Sequence, residues 1–313
     1  MAGRHWAAAG VGALAASAAF AIWRTRVAER KNPPLGSFIE VDGVRLHVVE
    51  LGSGDPLVLL HGDGSLVQDF LASGLVDRAA RDFRVILIDR PGYGWSTRPG
   101  DRLWTPAAQA DLVAAAIARL GGAPAHILGH SWGTMVAVAL ALRHSDLVRS
   151  LTLEAGYYYP TLRLDAVVLG SPALPVIGAA MRYTVSPVLA RALWPRFRRK
   201  IFAPSAVPAR FRVEFPAEMA MTPSRLRAAA EDAALLVPGA LSLRRHYGAL
   251  GQPVSIVAGD GDRLVSTRHQ SERLHRELPE SRLRIVRGAG HMVHHIDPAA
   301  VYDAVLWAAA RRG

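Results

Sequence analysis

Short, continuous apolar runs alternate with longer helix-period segments along most of the chain, and this alternation constrains the fold more than any other feature. The apolar runs lie at 56–62, 84–92, 125–130, 148–156, 253–260 and 282–288. The helix-period segments lie at about 66–80, 105–120, 132–144, 266–277 and 297–311. Continuous apolar runs are typical of strands buried on both faces of a parallel sheet. The pattern predicts an α/β fold with a mostly parallel sheet and helices on both faces.

Two regions depart from this alternation. Residues 37–52 are two alternating runs around Asp42-Gly43, which predicts an antiparallel hairpin at one sheet edge. Residues 157–247 are punctuated by prolines and lack strand-like runs, which predicts a helical insertion perched at one end of the sheet. The expected organisation is an N-terminal hydrophobic anchor and linker at 1–36, a first part of the core at 37–156, a cap at 157–247 and a second part of the core at 248–313.

Composition limits the chemistry and the partners. The 313 residues contain no cysteine, which excludes disulfides, thiolate zinc sites and a cysteine nucleophile. The net charge of +11 is concentrated in 1–36 and in 157–245, where thirteen basic residues face five acidic ones. No nucleic-acid-binding motif accompanies this charge, so we expect no nucleic-acid partner. A solvated basic surface and attraction to an anionic membrane both remain open.

The uncharged run at 6–23 is flanked by tryptophans and is about as long as the shortest membrane-spanning helices. It predicts a transmembrane anchor helix. Arginines are denser after the run than before it, which predicts that the domain following the run lies on the cytoplasmic side. Two alternatives remain open: export by a signal peptide cleaved near Ala19-Phe20-Ala21, and an amphipathic or transit-type leader.

A single serine stands where an apolar run meets a helical segment. Gly129-His130-Ser131-Trp132-Gly133 fits the pattern G-x-S-x-G between a strand and a helix. The two glycines permit a sharp turn that pushes the serine hydroxyl above the sheet edge. The N-terminus of the following helix favours negative charge that develops there. The motif predicts Ser131 as a nucleophile, with a structural turn serine as the alternative.

Acidic and imidazole side chains follow the last two strands. Asp260 and Asp262 come directly after the run at 253–260, and His291 follows the next run behind a Gly-Ala-Gly bend. The order serine, acid, histidine is the one that accompanies this serine motif, and all three sites fall at strand carboxyl ends. His291 can accept the serine proton, and an aspartate can fix the histidine tautomer.

The histidines near His291 allow a rival interpretation. With His294 and His295, His291 could form a three-histidine zinc site, although the H-E-x-x-H pattern is missing. We therefore expect no metal and no other cofactor.

With these motifs in order, the chain over roughly 37–312 resembles the α/β-hydrolase superfamily, in its cap-bearing serine hydrolase branch. The resemblance implies a mostly parallel sheet of about eight strands. It favours Asp262 over Asp260 as the triad acid, because the family's acid usually lies three residues after the strand-end glycine, here Gly259. Asp260 would instead hydrogen-bond the turn.

The resemblance also implies an oxyanion hole. The loop His61-Gly62-Asp63-Gly64-Ser65 corresponds to the family's loop after the third strand, so the donors would be the backbone N–H groups of Asp63 and Trp132. His61 and Gly62 would support this loop, as Gly129 and Gly133 support the serine turn. A carboxylate beside the hole would oppose an oxyanion, so we expect the Asp63 side chain to turn away or to contact substrate.

These residues predict a serine hydrolase that cleaves a lipophilic small-molecule ester, lipid-like or aromatic, through an acyl-enzyme. Relatives that open epoxides or remove halogens use an aspartate where Ser131 stands, so alkyl-enzyme chemistry is disfavoured. Hydrolysis of a carbon–carbon bond by the same triad and a ligand-binding receptor that retains the triad are the alternatives. A membrane partner is expected through 6–23, with the basic cap as a second contact.

Overall fold

A single eight-stranded sheet organises the protein. The computed structural model describes residues 2–121, 124–161 and 177–311. The strands are β1 (Ser37–Val41), β2 (Val44–Leu51), β3 (Asp55–Leu60), β4 (Phe83–Ile88), β5 (Ala125–His130), β6 (Val148–Glu154), β7 (Val254–Gly259) and β8 (Arg282–Val286). Their order across the sheet is β1-β2-β4-β3-β5-β6-β7-β8. All pairs from β4 to β8 across the sheet are parallel, which confirms the predicted α/β architecture.

The first two strands form the predicted antiparallel hairpin at the sheet edge. Val41 pairs with Val44, so Asp42 and Gly43 alone make the turn. Both have positive φ, 48° and 75°, the conformation that a two-residue hairpin turn requires and that Asp-Gly favours. Strand β2 continues the sheet by pairing antiparallel to β4.

Helices cover both faces of the sheet. Outside the cap they are α2 (Val67–Leu71), α3 (Leu75–Ala79), α4 (Pro106–Arg119), α5 (Trp132–Arg143), α11 (Ser271–Glu277), α12 (Val293–Ile296) and α13 (Pro298–Ala309). The single helix predicted at 66–80 is wrong, because Gly74 adopts φ 81° and separates α2 from α3. Helix α11 also begins later than the predicted 266. Thr105 caps α4, since its side chain accepts from the N–H of Ala108.

Among the described residues, five helices lie between β6 and β7 in the region predicted as a cap. They are α6 (Ile177–Tyr183), α7 (Ser186–Phe202), α8 (Ala209–Glu214), α9 (Ala217–Ala220) and α10 (Pro223–Leu243). The part of the predicted cap at 162–176 lies outside the described residues. Stacked rings of Phe211 and Phe215, with centroids 4.7 Å apart, and Phe202 form an apolar centre among these helices. The domain limits 157–247 stay a prediction.

The N-terminal helix α1 (Ala2–Lys31) is packed against the cap helices. Arg24 pairs with Glu218 at 2.7 Å, and Glu29 pairs with Arg225 at 2.7 Å. The Ser17 hydroxyl also donates to the carbonyl of Thr184. The helix ends at Lys31, shortly before Pro33 and Pro34, which have no backbone N–H to continue it.

The predicted transmembrane span at 6–23 is not supported. Among the helices of the described residues, none has both the length and the hydropathy that crossing a bilayer requires.

Candidate active site

Ser131 sits on a strained turn between β5 and α5. Its backbone has φ 52° and ψ −120°, a conformation that residues other than glycine rarely adopt. Gly129 and Gly133, on either side of this turn, have to be glycines because other backbone atoms approach them too closely for a side chain. A Cβ on Gly129 would lie 2.6 Å from the carbonyl oxygen of Gly133. A Cβ on Gly133 would collide with the carbonyl oxygen of Leu60. The Ser131 N–H donates to the Glu154 carbonyl of β6 at 2.8 Å, which fixes the turn to the sheet.

Ser131, His291 and Asp262 are joined by hydrogen bonds. Ser131 Oγ lies 2.9 Å from His291 Nε2, and His291 Nδ1 lies 2.7 Å from Asp262 Oδ2. The other Asp262 oxygen accepts from the N–H groups of Leu264 and Val265. Burial alone would raise the pKa of Asp262, but the His291 interaction and these two amides lower it below its ordinary value. The arrangement allows His291 to take the serine proton while Asp262 stays ionised.

Asp260 lies apart from this chain of hydrogen bonds. Its side chain accepts from the backbone N–H of Gly288 at 2.7 Å and so ties the β7 turn to the turn after β8. Asp262 is the aspartate that contacts His291, in line with the preference taken from the family spacing.

The cap contacts the His291 loop directly. The His291 N–H donates to the carbonyl of Ile201 near the end of α7 at 2.9 Å. A Cβ on the neighbouring Gly290 would collide with the carbonyl of Ala203. From below, His130 Nε2 lies 3.2 Å from the His291 carbonyl. The sequence analysis did not single out His130 in this role, and its position before Ser131 was the only available signal.

The loop after β3 lies against the serine turn. A Cβ on Gly62 would come within 3.1 Å of Ser131 Cβ, so the loop is close enough to supply an oxyanion donor. His61 braces it as expected, because Nδ1 bonds the Gly62 carbonyl at 2.8 Å and Nε2 accepts from the N–H of Arg90. Burial and the Arg90 guanidinium lower the pKa of His61 to about 4, so the imidazole is neutral. Trp132, the second expected donor residue, opens α5 beside Ser131.

A buried arginine holds this loop from behind. The Arg90 guanidinium is inaccessible to solvent and donates to the carbonyls of His61 and Gly62 at 2.8 and 2.9 Å. It also pairs with Asp232 of α10 at 2.7 Å. The sequence analysis assigned the Arg90 turn no role in the site. The missing signal was its partner, which lies 142 positions away in the cap.

The Asp63 side chain turns toward Tyr93. The Tyr93 hydroxyl lies 2.8 Å from Asp63 Oδ1 and also 2.8 Å from Asp232 Oδ2. Asp63 is exposed and lines the cavity that also contains Ser131. Loss of hydration among its neighbours and the nearby Asp232 charge raise the pKa of Asp63 to about 7.

His294 and His295 belong to a buried network beneath His291. His294 Nδ1 bonds Glu154 at 2.7 Å, and His295 Nε2 bonds Asp69 at 2.8 Å. Asp69 Oδ1 also lies 3.5 Å from His294 Nε2. Burial alone would lower the pKa of His294, but the charges of Glu154 and Asp69 raise it to about 10. His294 is therefore a buried cation between two carboxylates.

The same network contains the groups best placed for a metal. The donor atoms of Asp69, His294 and His295 lie within 4.8 Å of one another, as do those of His130, Glu154 and His294. Two of the contacts, at 2.7 and 2.8 Å, have the length of direct hydrogen bonds. Ligand atoms of a tetrahedral zinc ion are about 3.3 Å apart, given zinc–nitrogen and zinc–oxygen bonds of about 2.0–2.1 Å. The geometry fits a hydrogen-bonded network better than a metal centre.

A cavity of about 490 Å³ opens above Ser131 and His291. Its walls are mostly apolar and include Trp194, Phe197, Ile201, Phe211, Phe215, Leu236, Leu264, Val265 and Met292. Among the described residues that line it, Lys200 is the one lysine or arginine. Tyr157 also lines it, whereas Tyr158 and Tyr159 pack against Tyr247 in the core.

Comparison with known proteins places these features in context. Residues 55–298 match the family described as alpha/beta hydrolase fold. The chain is 35% identical over 144 residues to the 2-hydroxymuconate semialdehyde hydrolase of Pseudomonas sp. (strain CF600), which covers 45% of this chain and 51% of that protein. The chain thus spans about half the length of this curated relative.

Two further similarities extend over more of the chain. It is 32% identical over 234 residues to the pimeloyl-[acyl-carrier protein] methyl ester esterase of Neisseria meningitidis serogroup B (strain MC58), covering 74% of this chain and 84% of the esterase. The crystal structure of a bacterial membrane phospholipase A has a TM-score of 0.68 at 22% identity. The aligned region covers 98% of this chain and 96% of the phospholipase chain, so the shared fold includes α1.

Proposed function

Because the chain belongs to the α/β hydrolase fold family, we propose that it is a serine hydrolase that cleaves a carboxylic ester with a lipophilic acyl or alcohol group. One observation carries the proposal: the hydrogen-bonded series Ser131–His291–Asp262 lies at the floor of an apolar cavity. The similarity to a methyl ester esterase over most of both chains supports ester cleavage.

In the proposed reaction, Ser131 Oγ attacks the ester carbonyl as its proton passes to His291 Nε2. The backbone N–H groups of Asp63 and Trp132 stabilise the oxyanion of the tetrahedral intermediate. Its collapse breaks the bond to the alcohol oxygen, which takes the proton from His291 and leaves. Water then attacks the acyl-enzyme with His291 again as the base, which releases the acid and restores the serine.

The test is reaction of the whole protein with a fluorophosphonate probe, followed by turnover of p-nitrophenyl esters of increasing chain length. We expect labelling of Ser131 and a kcat/KM that rises with chain length until the cavity is filled, since each buried methylene contributes about 0.8 kcal/mol. Labelling without turnover of any ester would favour a receptor, and no labelling would remove the serine mechanism.

Carbon–carbon bond hydrolysis is the second candidate function. The 35% identity to a 2-hydroxymuconate semialdehyde hydrolase supports it, although the match covers about half of that enzyme. We would measure cleavage of a vinylogous diketone that bears a carboxylate, and compare it with cleavage of the p-nitrophenyl esters. A kcat/KM higher for the diketone than for every ester would replace the ester proposal.

We also propose that the protein associates with a membrane surface, with the catalytic domain on the cytoplasmic side; export by a cleaved signal peptide is the alternative. Large apolar side chains are exposed on α1 and on α7: Leu14, Phe20, Ile22, Trp23, Val188, Leu189, Leu193 and Phe197. Phe197 and Lys200 of α7 also line the cavity. The basic face of α7, formed by Arg196, Arg198, Arg199 and Lys200, therefore borders the active site. Basic residues near an anionic surface contribute about 1 kcal/mol each, within a Debye length.

Vesicle flotation of the full chain tests this association. We expect binding to anionic vesicles that weakens with salt, and weaker binding after Arg196, Arg198, Arg199 and Lys200 are changed to glutamine. The same four changes should leave turnover of a short, water-soluble ester intact. Equal flotation with anionic and neutral vesicles would show that the basic face is not the contact. Protease protection of the domain in sealed cytoplasmic membranes would test its sidedness.

A further inference from the structure

The Tyr93 hydroxyl makes hydrogen-bond contacts with two carboxyl groups at once. It lies 2.8 Å from Asp63 Oδ1 on the loop after β3 and 2.8 Å from Asp232 Oδ2 on α10. A phenol carries one proton and can donate it to only one of these oxygens. The other contact, at the same length, therefore needs a proton from the carboxyl side, since two bare oxygens at this distance repel.

Asp232 is the poorer candidate for that extra proton. It pairs with Arg90 at 2.7 Å and with Arg98 at 3.1 Å, and it is fully buried. Both partners are guanidinium groups, which keep their positive charge in proteins. Asp63 has no direct guanidinium contact among the ion pairs of the described residues, so the proton is assigned to the Asp63 side.

We propose that Asp63 works as a neutral carboxylic acid beside the oxyanion hole, hydrogen-bonded to Tyr93, and that its ionisation sets the alkaline limit of activity. The proposal rests on the proposed serine mechanism, in which the backbone N–H of Asp63 is an oxyanion donor. As a neutral acid, the side chain adds no negative charge next to the developing oxyanion. Once ionised, it places a like charge beside that oxygen, which corresponds to a loss on the order of 10- to 100-fold in rate.

Charged and titratable groups face Asp63 from four directions. Tyr93 and Arg90 face it from the loop after β4, and Asp232 faces it from α10 with Arg98 behind. His61 belongs to its own loop and is neutral near pH 7, given its lowered pKa. Across the cavity lie His130 and His291 of the serine and histidine turns and Lys200 of α7. Desolvation and the Asp232 charge together raise the pKa of Asp63 to about 7, which places the transition near neutral pH.

The sign of the pH effect follows from this shift. Below about pH 7, Asp63 keeps its proton and the hole carries no extra charge. As the pH rises through that value, Asp63 ionises and kcat falls. Asparagine at this position would mimic the neutral acid, because its amide can donate to the Tyr93 oxygen while Tyr93 donates to Asp232. Asp63→Asn should therefore abolish the alkaline decline.

Two measurements on the full-length protein test the proposal. The first is the infrared difference spectrum between wild type and Asp63→Asn, recorded from pH 5.5 to 9. We expect a carbonyl band of a protonated carboxylic acid at low pH that disappears with a midpoint near 7. The second is the ratio of kcat at pH 6 to kcat at pH 9 on one p-nitrophenyl ester, compared within each variant. Asp101→Asn, which changes an exposed aspartate, is the matched control.

The outcomes separate this inference from the proposed function. A wild-type ratio of about 10 to 100 that falls to about 1 in Asp63→Asn supports the proposal. Absence of the acid band at pH 5.5 overturns the neutral state, whether or not any ester is cleaved. A decline that persists unchanged in Asp63→Asn, or that disappears equally in Asp101→Asn, overturns the link to the oxyanion hole. A protein that cleaves no ester but shows the band defeats the proposed function and also the assigned role in catalysis, while leaving the neutral acid established.

Discussion

The two sides of Ser131 are supported in different ways. On one side, His291 and Asp262 stand on turns that directly follow neighbouring strands, and Asp262 is oriented by the amides of Leu264 and Val265 close to it in the chain. On the other side, the loop of Asp63 is held by Arg90, which in turn pairs with Asp232 of the cap. The triad side is thus built mainly from local turns of the core, with a cap contact from Ile201 to the His291 N–H, whereas on the oxyanion side a charged pair joins core and cap. Substitutions on the two sides should therefore fail in different ways.

The largest expected effect is loss of the shared nucleophile. Ser131→Ala should lower kcat by roughly 10⁴–10⁶ and abolish fluorophosphonate labelling, because the acyl-enzyme can no longer form. The protein should stay folded, since the Ser131 side chain contacts little beyond His291. Steady-state kinetics and thermal unfolding measure the two effects. Ester turnover near the wild-type rate would remove the serine mechanism.

On the triad side, the two neighbouring aspartates should differ sharply. Asp262→Asn should lower kcat by about 10⁴, because the amide stabilises the wrong His291 tautomer. Asp260→Asn is the matched control and should keep most of the activity, since Asp260 bonds only the Gly288 turn. Kinetics on one ester at constant pH decide between them. The reverse ranking would show that the acid has been misassigned.

On the oxyanion side, Arg90→Lys keeps the charge but removes the forked guanidinium that reaches the His61 and Gly62 carbonyls. We expect kcat to fall by about 10², the effect of displacing a catalytic group by about 1 Å. The KM should change less, because the apolar cavity walls remain. Arg98→Lys is the control, since Arg98 also pairs with Asp232 but does not contact the loop. Equal losses in both variants would mean that the cap pairing, and not the loop contact, matters.

The same contrast explains how far the sequence could predict this molecule. The sheet, the antiparallel hairpin and the proximity of Ser131 to His291 follow from patterns that are local or that recur at strand ends. The contacts of Asp232 with Arg90 and Tyr93 could not be predicted, because these residues lie 142 and 139 positions from Asp232 and the cap has no regular pattern.

The smallest expected effect on rate comes from changes in the buried network beneath His291, which contains Glu154, His294, His295 and Asp69. His294→Gln leaves Glu154 and Asp69 buried without their shared cation, and breaking a buried pair typically costs about 3–5 kcal/mol of unfolding free energy. Activity should persist in the folded fraction, with kcat within about tenfold of wild type, because His294 does not contact Ser131 or His291 through hydrogen bonds among the described residues.

The pH dependence of stability identifies the charge on His294. Its pKa is raised from an ordinary value of 6.5 to about 10, so the folded state binds this proton more tightly than the unfolded state does. The stabilisation is fully present below about pH 6.5 and is lost as the pH rises through 10. Wild type should therefore lose unfolding free energy between pH 7 and 10 more steeply than His294→Gln does, as measured by denaturant titration. His295→Gln is the matched control, because burial and His294 lower the pKa of that imidazole and leave it neutral across the same range. Parallel curves for wild type and His294→Gln would show that His294 is uncharged over this range.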